Sequence, residues 1–251
     1  CGGCRQRIRE HGAEYSAFSP TGTAGFHAPR KFAQFYAGHS NRFDFDPEYS
    51  DYLTDRRAAE NLFRARKHTE ALAAFTALAA TDETTELQQA DALRQAALSA
   101  RNLKNYARTE ELAARIPVPT VAKIVRMENL LAQRKHLELL QQYGKEDFSQ
   151  WPFAHVGVAA YARGRAQISS KNGPAAETDL QTALAFTSDG RLRSSILANL
   201  GHNRETNLKD DQAALSAYRK NFVGKERIGG ADEFRSVQQA ARILSRQGKH
   251  N

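Results

Sequence analysis

The fold of this chain is decided by residues 58–80, which read AAENLFRARKHTEALAAFTALAA. The stretch predicts two short helices, because apolar residues recur at helical spacing on both sides of a polar turn at residues 66–69. Thr69 is expected to cap the second helix, and Glu70 suits its first turn because the helix dipole favours acidic groups there. The apolar positions are Ala59, Leu62 and Phe63 in the first helix and Ala71, Leu72, Phe75 and Leu78 in the second.

The same phrase returns further along the chain. Residues 66–75, RKHTEALAAF, align with residues 134–143, RKHLELLQQY, at an offset of 68 residues. This offset is twice the period of about 34 residues found in one common kind of helix-pair repeat. A third version of the turn, QGKHN, begins at Gln247. Each helix pair is too short to bury its own apolar face, so the repetition predicts stacked pairs that stabilise one another.

The spacing of small and aromatic residues resembles the tetratricopeptide repeat (TPR) family over residues 51–251. In that family a small residue of the first helix lies where it crosses the second helix, which carries an alanine followed four residues later by an aromatic residue. The family's first-helix Trp is absent here, and Leu139 replaces one second-helix alanine. The matching positions are Ala59, Gly164 and Ala241 in first helices, Ala71 with Phe75, Ala176 with Leu180 and Ala214 with Tyr218 in second helices, and Pro119 near the closing proline.

The resemblance implies an all-α fold, a right-handed α-solenoid of stacked antiparallel helix pairs whose last repeat is truncated. It also implies a non-catalytic scaffold that binds protein or peptide. The array is expected to occupy residues 51–251. Residues 1–50 are rich in glycine, proline and aromatic residues and predict an irregular segment, either a cap or the tail of an upstream domain. Within it a short helix is expected at residues 29–37 and an extended stretch that ends in a turn at residues 42–47.

Local signals predict further helix boundaries. Thr85 with Gln88 forms a capping-box pattern, and Thr120 is expected to cap the helix that follows it. One of two adjacent aspartates is expected to cap the helix near residue 212. Histidines recur at the turn of the repeat, where their rings are expected to pack between helices. These residues are Asp210 or Asp211 for the cap, and His68, His136 and His250 for the turn.

Composition narrows the class of function. The chain has 36 Lys and Arg against 28 Asp and Glu, a net charge of +8, but acidic residues are interleaved throughout. Because no cluster of cationic residues stands out, nucleic-acid binding is not favoured. No apolar run reaches the roughly 18 residues of a membrane span, so no transmembrane segment is expected. The sequence contains no nucleophile elbow, zinc-protease motif or phosphate-binding loop, and we expect no cofactor and no metal site.

The candidate binding site is the groove that first helices line in such arrays. Its residues are mostly cationic, which predicts a protein or peptide partner with acidic groups, because Arg binds carboxylates through paired hydrogen bonds. The alternative interpretation is that these are ordinary solvated arginines on helices. The candidate groove residues are Arg56, Arg64, Arg94, Arg101, Tyr161, Arg165, His202, Arg242 and Arg246.

The two cysteines, Cys1 and Cys4, form a CxxC pattern with several interpretations. They could be a thioredoxin-like redox pair, half of a zinc site, a lipid-modified first cysteine of an exported lipoprotein, or ordinary thiols. Haem attachment is excluded because Arg5 stands where a histidine is required. If Cys1 is a processed N-terminus, the expected location is periplasmic or membrane-anchored, and otherwise cytoplasmic. The second functional hypothesis is the C-terminal helical region of a larger enzyme or redox protein whose catalytic part precedes residue 1.

Overall fold

The computed structural model describes residues 47–82, 84–223 and 229–248, with side chains from residue 51 onward. These residues form eleven helices, and no strand occurs among them. The chain divides into two compact units, Cys1–Asp51 and Tyr52–Asn251. The helices are α1 Pro47–Arg64, α2 His68–Leu78, α3 Glu86–Asn102, α4 Tyr106–Arg115, α5 Pro119–Ala132, α6 His136–Tyr143, α7 Phe153–Ser169, α8 Gly173–Ala185, α9 Gly190–Thr206, α10 Asp211–Phe222 and α11 Ala231–Arg246.

The all-α prediction is confirmed for the described residues. The predicted helix at residues 29–37, residues 42–46 of the predicted extended stretch, and Cys1, Cys4 and His250 lie outside them. The last residue of that stretch, Pro47, is instead the first residue of α1, because the fixed φ of proline suits a first helical turn. We call α1, α3, α5, α7, α9 and α11 the first helices, and α2, α4, α6, α8 and α10 the second helices. Within the described residues, no helix has both the length and the apolar character needed to cross a membrane.

The five first helices from α1 to α9 are each followed by a turn with the same backbone conformation. One residue adopts a positive φ of 58–62°, and the second helix begins two residues later. The next backbone N–H then bonds back into the preceding helix, as from Lys67 N to Leu62 O at 3.0 Å and from Lys135 N to Leu130 O at 2.9 Å. This is the pattern of a Schellman C-terminus, and it reverses the chain within a few residues. The turn residues are Arg66, Lys104, Arg134, Lys171 and Lys209, and Gly248 adopts a φ of 69°.

Replacing Lys104 with Gly is expected to raise the free energy of unfolding by about 0.5–1 kcal/mol. A residue with a Cβ pays about 1–2 kcal/mol in steric strain to adopt the left-handed conformation, and glycine avoids this strain. Glycine loses more chain entropy on folding, so the net gain is smaller than the strain. The exposed Lys104 has a φ of 59°, so the substitution removes only this strain. Urea denaturation measures the change. Ala107→Gly, at an exposed position in the first turn of α4, is the control and is expected to lose up to about 1 kcal/mol. Equal destabilisation by both variants would contradict the prediction.

The capping predictions divide into two groups. The capping box is confirmed, since Thr85 Oγ1 accepts from Gln88 N at 3.2 Å and Gln88 Oε1 accepts from Thr85 N at 2.8 Å. Asp210 is the aspartate that caps α10, accepting from Ala213 N at 2.9 Å. The predictions for Thr69 and Thr120 are wrong, because α2 begins at His68 and α5 at Pro119. The left-handed turn residue fixes the start of α2, and the fixed φ of proline suits the first turn of α5.

Small residues permit close contact where the helices of a pair cross. A Cβ on Gly164 would lie 3.0 Å from Leu180 Cγ, and one on Gly201 would overlap the ring of Tyr218. Ala59 and Ala71 are 1% and 0% exposed. Ala59 and Gly164 are therefore buried or closely packed, as the sequence predicts, whereas the close contact at Gly201 was not predicted.

The prediction that Ala241 lies at a helix crossing is wrong. Ala241 is exposed on α11, and the adjacent Ala240 is the buried alanine.

The helices pack mainly against their neighbours in the chain. The second helix of each described pair from α3 onward contacts its own first helix and also the next first helix, while α3 contacts α5, α5 contacts α7 and α9 contacts α11. The apolar core accordingly follows the chain in three clusters of buried residues rather than one centre. The turn histidine of the first described pair behaves as predicted, because the ring of His68 packs edge-on against Phe63 with 5.1 Å between ring centroids.

Candidate functional site

Three consecutive first helices, α3, α5 and α7, enclose a cavity of about 180 Å³. Its lining combines apolar side chains with charged and aromatic ones. Tyr161 and Arg165 come from α7 and lie four residues apart, so they share one helix face. We call this site the first-helix cleft, and its lining residues are Arg101, Glu128, Leu131, Ala132, Val158, Tyr161, Ala162 and Arg165.

One wall of the cleft is a neutral ion pair between neighbouring first helices. Arg101 Nη1 lies 2.7 Å from Glu128 Oε2, and the two side chains are only 17% and 25% exposed. Hydrogen bonds between ionised groups are strong when they are shielded from water. Arg101 is therefore held in place and its charge is already compensated.

The opposite wall presents an uncompensated cation. The guanidinium of Arg165 lies 5.7 Å from the ring centroid of Tyr161, a distance at which the ring face attracts a cation. Arg165 is exposed and forms no ion pair with any carboxylate of the described residues. Asn199 on α9 helps to hold Tyr161 in place, because the Tyr161 hydroxyl accepts a hydrogen bond from Asn199 Nδ2 at 3.1 Å. Burial raises the pKa of Tyr161, so the phenol stays protonated at neutral pH.

A partly buried histidine lies beside this wall. Burial lowers the pKa of His136, and the positive charge of Arg165 lowers it further. Its Nδ1 is buried and has no hydrogen-bond partner among the described residues. The imidazole is therefore neutral at pH 7, and the positive charge near it comes from Arg165 and Arg134 rather than from His136 itself.

A second cationic point lies elsewhere on the same three helices. Arg94 on α3 is partly buried and has no ion pair with any described carboxylate. It lies close enough to His155 on α7 to add to the effect of burial, which is the main cause of that residue's lowered pKa. Thr120 on α5 fixes the imidazole through a 2.8 Å contact between its hydroxyl and His155 Nδ1. Arg94 and Arg165 are thus the predicted groove arginines without a described acidic partner.

The remaining predicted groove arginines already bind carboxylates. Arg56 Nε lies 2.6 Å from Asp91 Oδ2, and the largely exposed Arg64 lies 3.6 Å from Glu60. Arg242 Nη2 lies 2.6 Å from Glu205 Oε1. These arginines therefore add little net charge to a binding surface. Arg246 is also paired, because it contacts both oxygens of Asp211 at 2.7 and 2.8 Å. His202 adds little charge for a different reason, since burial is the main cause that lowers its pKa.

Sequence reasoning missed two contacts that position side chains on the first helices. Asn199 fixes Tyr161 from a helix that starts 29 residues after it, and Thr120 supports a histidine 35 residues later. The only sequence signal for these contacts is the helical phase of each polar residue, which does not reveal its partner. Among the described residues, no three His, Cys, Asp or Glu side chains cluster so that they could hold a metal ion.

A larger cavity of about 410 Å³ lies between α4, α5 and α6. Its charged lining residues are already paired, since Arg126 Nε lies 2.6 Å from Glu110 Oε1 and Lys135 Nζ lies 3.4 Å from Glu138 Oε2. This cavity therefore offers no free charge, and the first-helix cleft is the better candidate for recognition of an ionised ligand.

Comparisons of the chain with protein-family models, with curated proteins and with solved structures gave no match. The described part of the chain belongs to the all-α class and consists of successive helical hairpins.

Proposed function

We propose that the chain is a non-catalytic scaffold that binds an acidic peptide segment of a partner protein along its first helices, at the first-helix cleft. The proposal is carried by a difference in charge pairing among the predicted groove arginines. Most are neutralised by carboxylates of the chain itself, whereas the guanidinium of Arg165, beside the ring of Tyr161, has no carboxylate partner among the described residues. A carboxylate of the partner would supply the missing hydrogen-bond acceptors.

We further propose that the helix pairs stack as a right-handed α-solenoid of the TPR-like kind. Three features support this arrangement. The turns share one left-handed residue, small residues lie at the helix crossings, and the contacts run from each pair to the next. Stacked helix pairs of this kind use extended surfaces formed by successive repeats to bind their partners.

Replacing Arg165 with Glu is expected to weaken binding of an acidic peptide by about tenfold or more, because the variant puts a like charge where a carboxylate must bind. The probe is a fluorescein-labelled peptide of alternating Glu and Ser residues, and the measurement is fluorescence anisotropy at low salt, where screening is weakest. Arg219→Glu, at an exposed position on α10, is the control with the same change of net charge. Equal affinities of the two variants would show that only net charge matters and would remove the cleft from the proposal.

Binding of the same peptide is expected to strengthen as the pH falls from about 8 to about 6. Burial, followed by the charge of Arg165, holds the pKa of His136 below its ordinary value in the free chain. A bound carboxylate favours the protonated imidazole, so the pKa of His136 is higher in the complex. Binding therefore takes up a proton. The affinity rises as pH falls through the pKa in the complex and levels off below the pKa in the free chain.

The control for this pH dependence is His136→Gln, which removes the titrating group. The peptide carboxylates stay ionised throughout the range, because their pKa lies near 4. The same anisotropy titration is expected to give an affinity that is nearly independent of pH for the variant. A pH dependence that survives in His136→Gln would assign the proton to another group and contradict the prediction.

A further inference from the structure

The last described helix, α11, has an apolar face that no other described helix covers. Phe234 is 63% exposed and Val237 is 42% exposed, although both are large apolar residues. Exposed Ala241 and partly buried Leu244 continue the same stripe. The spacing of three, four and three residues is that of a seam between two packed helices. Other exposed leucines, such as Leu87 and Leu137, are not part of such a stripe on their own helices.

This stripe is continuous with an interface that the chain already uses. The adjoining side of α11 buries Ala240 and Ile243 against Leu215 and Tyr218 of α10. Leu244 lies at the edge of that cluster and is only partly buried. The apolar surface of α11 therefore extends beyond what α9 and α10 cover.

The charges of α11 do not oppose contact with a chain of the same charge. Arg242, Arg235 and Arg246 lie about 100–140° around the helix from Ala241, outside the stripe. Arg242 and Arg246 are paired with Glu205 and Asp211, and Arg235 lies 3.6 Å from Asp232. Two molecules of net charge +8 can therefore meet along this stripe without unpaired arginines in contact.

We propose that the exposed face of α11 pairs with the same face of a second copy of this chain, with the two α11 helices antiparallel. A two-fold axis near residue 239 places Phe234 against Leu244 of the second copy and Val237 against Ala241 of the second copy. The smaller residues then lie at the centre, where crossed helices approach most closely, and the larger ones fill the ends, where the helices diverge. The stripe is therefore complementary to itself, which a two-fold interface requires.

The interface is small. Standard interfaces bury about 800 Å² on each partner, whereas one stripe of four residues on a single helix buries less. The dimer is therefore weak and depends on concentration. It forms on α11 and leaves the first-helix cleft on α3, α5 and α7 free, so it is independent of the proposed peptide binding.

Sedimentation velocity of the intact chain over the micromolar range tests the proposal. The expected result is a monomer–dimer equilibrium whose dissociation constant rises about tenfold or more in Val237→Asp, because the charge would be buried without a partner. Leu137→Asp, at a 72% exposed position on α6, is the matched control and is expected to leave the equilibrium unchanged. Circular dichroism of each variant checks that the helices remain folded. A chain that stays monomeric throughout, or a dimer that Val237→Asp leaves intact, would overturn the proposal.

A cross-linking experiment tests the antiparallel register separately. In a background with Cys1→Ser and Cys4→Ser, a mixture of Val237→Cys and Ala241→Cys chains is expected to form a disulfide-linked heterodimer under mild oxidation. A mixture of Leu137→Cys and Ala241→Cys chains is the control and is expected to remain unlinked. Equal cross-linking in both mixtures would mean random collision and would contradict the proposed pairing.

Discussion

Replacing Asp179 with Asn is expected to lower the free energy of unfolding by about 3 kcal/mol, because it leaves a largely buried arginine without its counter-ion. Asp179 on α8 receives two hydrogen bonds from Arg163 on α7, at 2.9 and 2.7 Å. Their side chains are 8% and 15% exposed, respectively. Loss of one partner of a buried pair typically costs about 3–5 kcal/mol, and the residual exposure of Arg163 favours the lower end.

The surroundings of Arg163 explain why this pair has structural importance. Its Nη1 donates to the carbonyl of Glu146 at 2.7 Å, and its guanidinium lies 4.2 Å from the ring centroid of Phe148. One side chain therefore links α7, α8 and the segment that precedes α7. In Asp179→Asn the guanidinium keeps these contacts but loses the negative charge that balances it.

Urea denaturation of Asp179→Asn and of the double variant Arg163→Met/Asp179→Leu measures the effect. The double variant replaces both charges with apolar groups, so it is expected to be much less destabilised than the single variant. A matched control is Glu111→Gln, which removes one member of the more exposed pair with Arg108 and is expected to cost less than about 1 kcal/mol. Equal losses for Glu111→Gln and Asp179→Asn would show that burial does not determine the cost.

The second large effect is expected for Gly201→Ala, which should lower the free energy of unfolding by about 2 kcal/mol. A Cβ at this position overlaps three ring atoms of Tyr218. Tyr218 is 1% exposed, and its hydroxyl contacts Glu205 Oε2 at 3.2 Å, so the ring has little room to move. Overpacking a close contact costs about 1–3 kcal/mol, and the gain of about 1 kcal/mol in helix propensity offsets only part of a severe overlap.

A double-mutant cycle with Tyr218→Leu tests this explanation. Leucine has no ring edge at the crossing, so the cost of Gly201→Ala is expected to be smaller in the Tyr218→Leu background than in the native one. Thermal unfolding followed by circular dichroism gives the free-energy changes. If Gly201→Ala costs the same in both backgrounds, the overlap with Tyr218 is not the cause.

The helix pairs and the exact helix starts differ in how well the sequence predicts them. The helix pairs were predictable because they depend on neighbours in the chain, such as Thr85 with Gln88 or the apolar spacing around Ala71. Errors arose where one local signal competed with another. Thr69 and Thr120 resemble caps, but the left-handed residue at Arg66 and the proline at residue 119 set the helix starts instead.

The candidate site shows the limit of such reasoning. The sequence named Arg101, Tyr161 and Arg165 as groove residues, and the structure brings these three together at one cavity. The sequence did not reveal which of the groove arginines lack a carboxylate partner among the described residues. That property depends on partners contributed by other helices, as with Glu128 for Arg101 and Glu205 for Arg242.

The sequence by itself determined the helices, their turns and the small residues at many of their crossings, because each follows from residues only a few positions apart. The tertiary structure decided which arginines are neutralised and which have no carboxylate partner among the described residues. The ion pairs concerned join residues 27 to 37 positions apart. Their formation requires the relative position of helices that are not consecutive in the chain, and the packing of side chains between those helices sets that position.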